Sequence, residues 1–158
     1  MIISWGIPKI TVKKLAADGT VATGDDAKTV VFATPAEGTT TLSSEKGEKM
    51  EAKIEGGENE AVKYKRGKYT LEFQIRIGQG RLPNAANMID GEDGVVKGEW
   101  EVTLEPEDWA EGAPGFKMPK GVCSYTDNYT AADGIIRTYT FDSLKPATGN
   151  QIQWTQVA

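Results

Sequence analysis

The chain predicts an all-β fold, mainly antiparallel: a β-sandwich or barrel with at most one or two short helices. Three observations carry this. From Lys68 to Ile77, Tyr69, Leu71, Phe73, Ile75 and Ile77 occupy one phase, and Lys68, Thr70, Glu72, Gln74 and Arg76 the other. Period two held over that length is the pattern of a strand with one buried face. Turn-forming groups also recur between short apolar runs at the spacing of an all-β domain, in a chain with 18 Gly. Helix-period patterns, by contrast, are scarce.

The elements follow in order. Ile10 and Val12 mark a first strand, ended by Ala17-Asp18-Gly19. A second runs from Thr29 to Phe32 and stops near Pro35. Thr39 to Leu42 is β-prone and leads into a strand from Glu48 to Glu55, where Met50, Ala52 and Ile54 alternate with charges. Gly56-Gly57 breaks the chain, Ala61 to Lys65 adds a short strand, and Arg66-Gly67 turns it into the strand at Lys68. Val96, Gly98, Trp100, Val102 and Leu104 share a face of a strand ending before Pro106. Ile135, Arg137, Tyr139 and Phe141 alternate with Ile136, Thr138 and Thr140 in another. Gln151 to Val157 forms the last, with Ile152 and Trp154 in phase. Two weak helix signals remain: Leu82 to Ile89, and a proline-plus-acid start at Pro106-Glu107-Asp108-Trp109.

Length and composition bound the class. A chain of 158 residues without repeats or linkers reads as one domain, 1–158, long enough to bury a core without covalent staples. Net charge −5 argues against gripping nucleic acid or an anionic membrane, since phosphate affinity comes from clustered Lys and Arg. The lone Cys123 excludes an intrachain disulfide. The start, MIISWGIPKI, lacks the basic flank and apolar length of a signal peptide, and no segment reaches membrane-spanning length. Synthesis and residence in a reducing cytoplasm are the expectation.

Histidine is absent, which excludes imidazole bases, Ser-His-Asp and Cys-His nucleophiles and histidine-containing metal sites. With a single cysteine, structural zinc is excluded as well. A carboxylate pair survives this filter, but no spacing singles one out. The expectation is a non-enzyme with no catalytic residue, metal or cofactor. Asp90-Gly-Glu-Asp-Gly94 lacks the ligand spacing of a calcium loop and reads as a solvated turn, as do Asp25-Asp26 and Asp127-Asn128. Gly78-Gln-Gly80 is only a fragment of a phosphate loop.

Trp100 and Trp154 are in phase with strand faces and read as core. Trp5 and Trp109 sit in irregular surroundings and suit a subunit contact or a sugar-stacking platform. Ile2, Ile3, Trp5 and Ile7 make an apolar N-terminal arm that something should cover. Between Glu45 and Glu60, acids at Glu45, Glu48, Glu51, Glu55, Glu58 and Glu60 interleave with Lys46, Lys49 and Lys53. Two readings stand from patterning alone. One is an edge strand guarded by charge; the other is a strand that pairs with an identical strand set, repeating into a ring.

The run from Thr41-Leu42 to Glu58, with Ser44, Gly47, Glu48, Glu51, Ala52, Glu55, Gly56, Gly57 and Glu58, resembles the corresponding region of phage tail-tube (major tail) proteins. The KYTLEFQIR strand and the YTFDSLKP and NQIQW segments resemble the same group, to which type VI secretion ring and tube proteins are related. The resemblance implies a β-sandwich or barrel subunit with a flanking helix, forming hexameric rings that stack into a tube for DNA. The weak helix signal here departs from that pattern. It also implies that Glu45, Lys46, Glu48, Lys49, Glu51, Lys53, Glu55 and Glu58 face a neighbouring subunit or a weakly acidic lumen. Met50, Ala52 and Ile54 would then face the core, and Ile2, Ile3, Trp5 and Ile7 would dock on an adjacent subunit or ring. The implied partners are copies of itself and other tail proteins, with DNA only as passing cargo and no membrane; the implied destination is a virion tail. The alternative is a non-catalytic β-sandwich binding module that holds carbohydrate or a small ligand with surface tryptophans.

Overall fold

The computed structural model describes residues 1–107 and 111–156. Its strands are β1 (Pro8–Lys14), β2 (Thr29–Val31), β3 (Thr41–Glu45), β4 (Lys49–Lys53), β5 (Asn59–Tyr64), β6 (Lys68–Arg76), β7 (Trp100–Pro106), β8 (Pro114–Thr130), β9 (Gly134–Ser143) and β10 (Gln153–Gln156). The main sheet runs β2-β1-β7-β8-β9-β6-β3, with β10 beside β8, and β4-β5 forms a separate two-stranded sheet. Each of these pairings is antiparallel. The fold is all-β, as the alternation predicts.

Strands β1, β6, β7 and β9 each turn one phase inward. Ile10 and Val12 of β1, Leu71, Phe73 and Ile75 of β6, Val102 of β7, and Tyr139 and Phe141 of β9 are buried in one cluster. Phe32, just past β2, closes the sheet over this core. Its ring centroid lies 4.9 Å from those of both Phe73 and Tyr139, on strands at the far side of the sheet order. The loop that follows is tied to β6, where the Ala36 N–H donates to the Gln74 carbonyl at 2.8 Å and the Gln74 N–H to Thr39 Oγ1 at 3.3 Å.

Strand β8 is the element that alternation does not reveal. Phe116 and Met118 are buried in one phase, Cys123 and Tyr125 in the other. Between them the register shifts: Val102 faces Met118, but Trp100 faces Gly121. One extra residue on β8 makes a bulge, and a one-residue slip moves every later side chain to the opposite face. The bulge also divides the partners, β10 pairing with Pro114–Lys117 and β9 with Gly121–Thr130.

Several expectations are corrected. Asp127-Asn128 lies within β8 and not at a turn. Leu82 to Ile89 is a succession of tight turns, with Ala85 N–H donating to Leu82 O and Met88 N–H to Ala85 O. Pro83 at its start supplies no N–H, and the turns place Met88 and Ile89 in the core. The one helical element among the described residues is a 3-10 turn at Gly24–Asp26. Pro106 ends β7, and Asp108 and Trp109 of the expected helix start lie outside the described residues. Val96 and Gly98 precede the strand that begins at Trp100, because Gly98 has φ 92, in the left-handed region that extended strands avoid. Trp154 is 68% exposed, and its ring meets that of Phe116 edge-on, 6.1 Å between centroids. No helix among the described residues is long and apolar enough to cross a membrane.

Candidate assembly surfaces

Strands β3 and β6, then β4 and β5, form two successive stretches of one long hairpin. The first belongs to the main sheet; the second leaves it with every residue of β4 and β5 exposed. Met50 and Ile54 are therefore 44% and 46% exposed and do not face the core. Pairing explains why no apolar face survives. Met50 stands opposite Lys63, Glu51 opposite Val62, and Lys49 opposite Tyr64, so both faces of the ribbon mix charge with apolar surface. The sequence showed the alternation of β4 but not the register that sets Val62 and Tyr64 among its charges.

The two stretches meet at a joint with no room for side chains. A Cβ on Gly47 would overlap the Lys65 carbonyl, and one on Gly67 would overlap the Glu45 carbonyl. Beyond the joint, Glu48 O accepts the Lys65 N–H at 2.9 Å, and the Lys65 ammonium lies 2.9 Å from Glu48 Oε2. Lys46 Nζ sits 4.3 Å from the Tyr64 ring centroid.

Of the sequence-predicted contact residues, Lys49, Glu51 and Lys53 are brought together. The Glu51 carboxylate accepts Lys49 Nζ at 2.6 Å and lies 3.6 Å from Lys53 Nζ. The Lys49 hydrogen bond, foremost, holds the Glu51 carboxyl below the usual carboxylate range. Glu45 closes β3, Glu55 lies in the turn, and Glu58 accepts the Ile54 N–H through its carbonyl at 2.9 Å. Glu45 ends its main-sheet strand beside a smaller cavity lined by Ser43, Tyr69 and Asp142; the others lie along the solvated ribbon and its joint.

The N-terminal arm is exposed at Ile2, Ile3, Trp5 and Ile7, with Trp5 at 76%. It is fastened by the Ser4 hydroxyl donating to the Pro114 carbonyl, and by the Glu107 N–H donating to Ile7 O at 3.1 Å. Beneath the arm lies a cavity of about 920 Å³, lined among others by Ile3, Leu42, Leu104, Phe116 and Trp154. The arm and Trp154 meet there, a juxtaposition of the two chain ends that no local pattern carries.

One buried cluster was missed altogether. Arg137 on β9 is 3% exposed and is held by Asp127, Asp90 and the Ile89 carbonyl. The only sequence signal was a charge in the apolar phase of its strand. Burial alone would lower its pKa, but hydrogen bonds and charge from Asp127 and Tyr139 outweigh it and raise it. Burial also raises the Tyr139 hydroxyl, which donates to Ile89 O at 2.6 Å. With every polar group of the guanidinium engaged in the fold, the cluster is a structural clasp.

The fold and surfaces define an all-β protein with an uncovered charged ribbon and an exposed apolar arm. Neither a protein-family model nor a curated protein matches the chain.

Proposed function

We propose that the protein is a structural subunit that assembles with copies of itself into rings or tubes, in the manner of phage tail-tube proteins. The observation that carries this reading is the β4-β5 ribbon, which leaves the core with both faces uncovered and with Met50, Ile54, Val62 and Tyr64 each 44–46% exposed. Apolar surface on an isolated two-stranded ribbon is costly in water, and such ribbons are marginal without a partner. The exposed arm at Ile2, Ile3, Trp5 and Ile7 offers a second contact. The resemblance of the Thr41–Glu58 run and of the KYTLEFQIR strand to tail-tube proteins supplies the form of assembly. A net charge of −5 suits a channel that DNA slides through, because like charge prevents sticking. Synthesis in the cytoplasm and residence in a virion tail follow from this reading.

Light scattering over a wide concentration range, followed by negative-stain electron microscopy, tests it. Rings or stacked tubes are expected. A monomer at every concentration, with no rings in the images, overturns it.

A second reading rests on the cavity beneath the arm: a module that binds a small apolar ligand against Trp154 and Phe116. It expects Trp154 emission to shift on addition of an apolar dye, and the shift to vanish in Trp154→Phe.

A further inference from the structure

The charges of β4 are not matched by its partner strand. Lys49 and Glu51 stand opposite Tyr64 and Val62, and Lys53 opposite Asn59. Among the described residues their ion pairs run along the strand, through the Lys49–Glu51 and Lys53–Glu51 contacts. The other edge of β4 is open, since it pairs with β5 alone among the described residues. Glu48 O accepts from Lys65 N–H, and Ile54 N–H donates to Glu58 O, each at 2.9 Å. Backbone groups alternate in direction along an antiparallel strand, so those of Lys49, Glu51 and Lys53 point to the open edge.

The sequence of that edge is complementary to itself. Set antiparallel to a copy about Ala52, the strand places Glu51 against Lys53 and Met50 against Ile54, with Ala52 against Ala52; Lys49 falls towards Glu55, which lies in the turn just past the strand. Glu51 and Lys53 each meet the opposite charge, and the apolar residues meet apolar ones. The outward-facing backbone groups of Glu51 and Lys53 also fall opposite each other, where a hydrogen-bonded pair forms. Shifted so that Glu51 lies on the axis, the same edge sets Lys49 against Lys53 and Glu51 against itself, which repels. An edge guarded against its own copies would carry one sign of charge; this alternation selects a register instead.

We propose that β4 is an isologous docking edge, where a second copy of this chain adds its own β4 antiparallel with Ala52 on the two-fold axis. The result is a four-stranded sheet, β5-β4-β4-β5, shared between two ribbons. The smallest side chain of the strand sits at the axis, where a non-hydrogen-bonded pair brings side chains closest. The contact is distinct from the head-to-tail contact that closes a ring, since a two-fold pairing is complete with two subunits. Its footprint is one short edge, and its charge pairs are screened by salt. Association is therefore strongest at high protein concentration and low ionic strength.

Two charge-block variants test the proposal: Glu51→Lys with Glu55→Lys, and Lys49→Glu with Lys53→Glu. All four positions lie on the solvated ribbon, so the core is untouched. At low salt the native chain is expected to double from its 17.1 kDa mass. Each variant alone should lose that doubling, and an equimolar mixture of the two should regain it. Ala52→Cys should give a covalent dimer under mild oxidation, since Ala52 is exposed on the strand while the native Cys123 is buried. A native chain with no doubling, variants that double alone, or a mixture that stays monomeric overturns the proposal. A covalent dimer from Met50→Cys with none from Ala52→Cys overturns the register. Rings from the charge-block variants with Ala52→Cys unlinked would refute this contact and leave the assembly reading standing. Linked dimers that never form rings would do the reverse.

Discussion

Arg137 of β9 and Asp127 of β8 face each other across the ladder and join in a two-pronged ion pair, Nε to Oδ1 at 2.7 Å and Nη2 to Oδ2 at 3.0 Å. The guanidinium lies 3.9 Å from the Tyr125 ring centroid and extends Nη1 to the Ile89 carbonyl at 3.0 Å. Thus one arginine fastens the turn-rich segment between β6 and β7 to the β8-β9 hairpin.

Removing the Asp127 charge should be the more damaging way to open this clasp. Asp127→Asn leaves a buried guanidinium short of its best acceptor, at an expected cost of about 1–3 kcal/mol in chemical denaturation. Asp90→Asn should cost less, since Asp90 makes one longer contact with Arg137, 3.3 Å. Equal losses would show that the paired geometry is not what holds the segment.

The clasp should loosen in acid. Partial burial would raise the Asp90 pKa, but the Gly91 amide, the Arg137 guanidinium and the Tyr125 hydroxyl together hold it below its ordinary value. The unfolded chain therefore binds the proton first. Asp90's contribution is complete above the usual carboxylate range, about pH 4, and disappears as pH falls through the lower folded value. Thermal melts of native protein and Asp90→Asn should converge over that descent. A gap that persists far below it would contradict the assignment.

Gly47 and Gly67 should matter to the ribbon and not to the core. Gly47→Ala or Gly67→Ala forces backbone apart at the joint, since the nearest atoms are the Lys65 and Glu45 carbonyls and not flexible side chains. Amide exchange should accelerate across β4 and β5 while β6 and β9 stay protected, because among the described residues β4 and β5 pair with each other alone. Unchanged exchange in the ribbon would show that the joint tolerates a side chain.

Cys123 should resist thiol reagents in the folded protein. It is 1% exposed, and burial pushes its thiol pKa up to about 12. Thiolate is the reactive form, so labelling at neutral pH should follow unfolding, rising with denaturant along the unfolding curve. Rapid labelling of the native chain would place Cys123 at the surface.

Legibility varied from strand to strand for a physical reason. β6 and β9 show unbroken period two because each keeps one face on the core along its length. β8 is longer than either, but its bulge resets the phase between Met118 and Gly121, and Pro114, Pro119 and Gly121 resemble punctuation. Trp154 shows the converse: it is correctly placed in a strand, yet exposed, because β10 flanks only the first stretch of β8. The charged ribbon and the apolar arm were legible as residues in the chain, but the exposure of Met50 and Ile54 was not, because it depends on the ribbon leaving the main sheet.

By itself the sequence determined the β class, most strand positions and the lack of imidazole chemistry, because these follow from local alternation and composition. Tertiary structure decided what each strand faces. Only the fold sets Met50 opposite Lys63 on a ribbon clear of the core, brings Arg137 to Asp127 and Asp90, and lays the N-terminal arm beside Trp154. Each depends on register or on contacts between residues far apart in the chain. Alternation fixes which side chains share a face of a strand; it says nothing of what lies across from them.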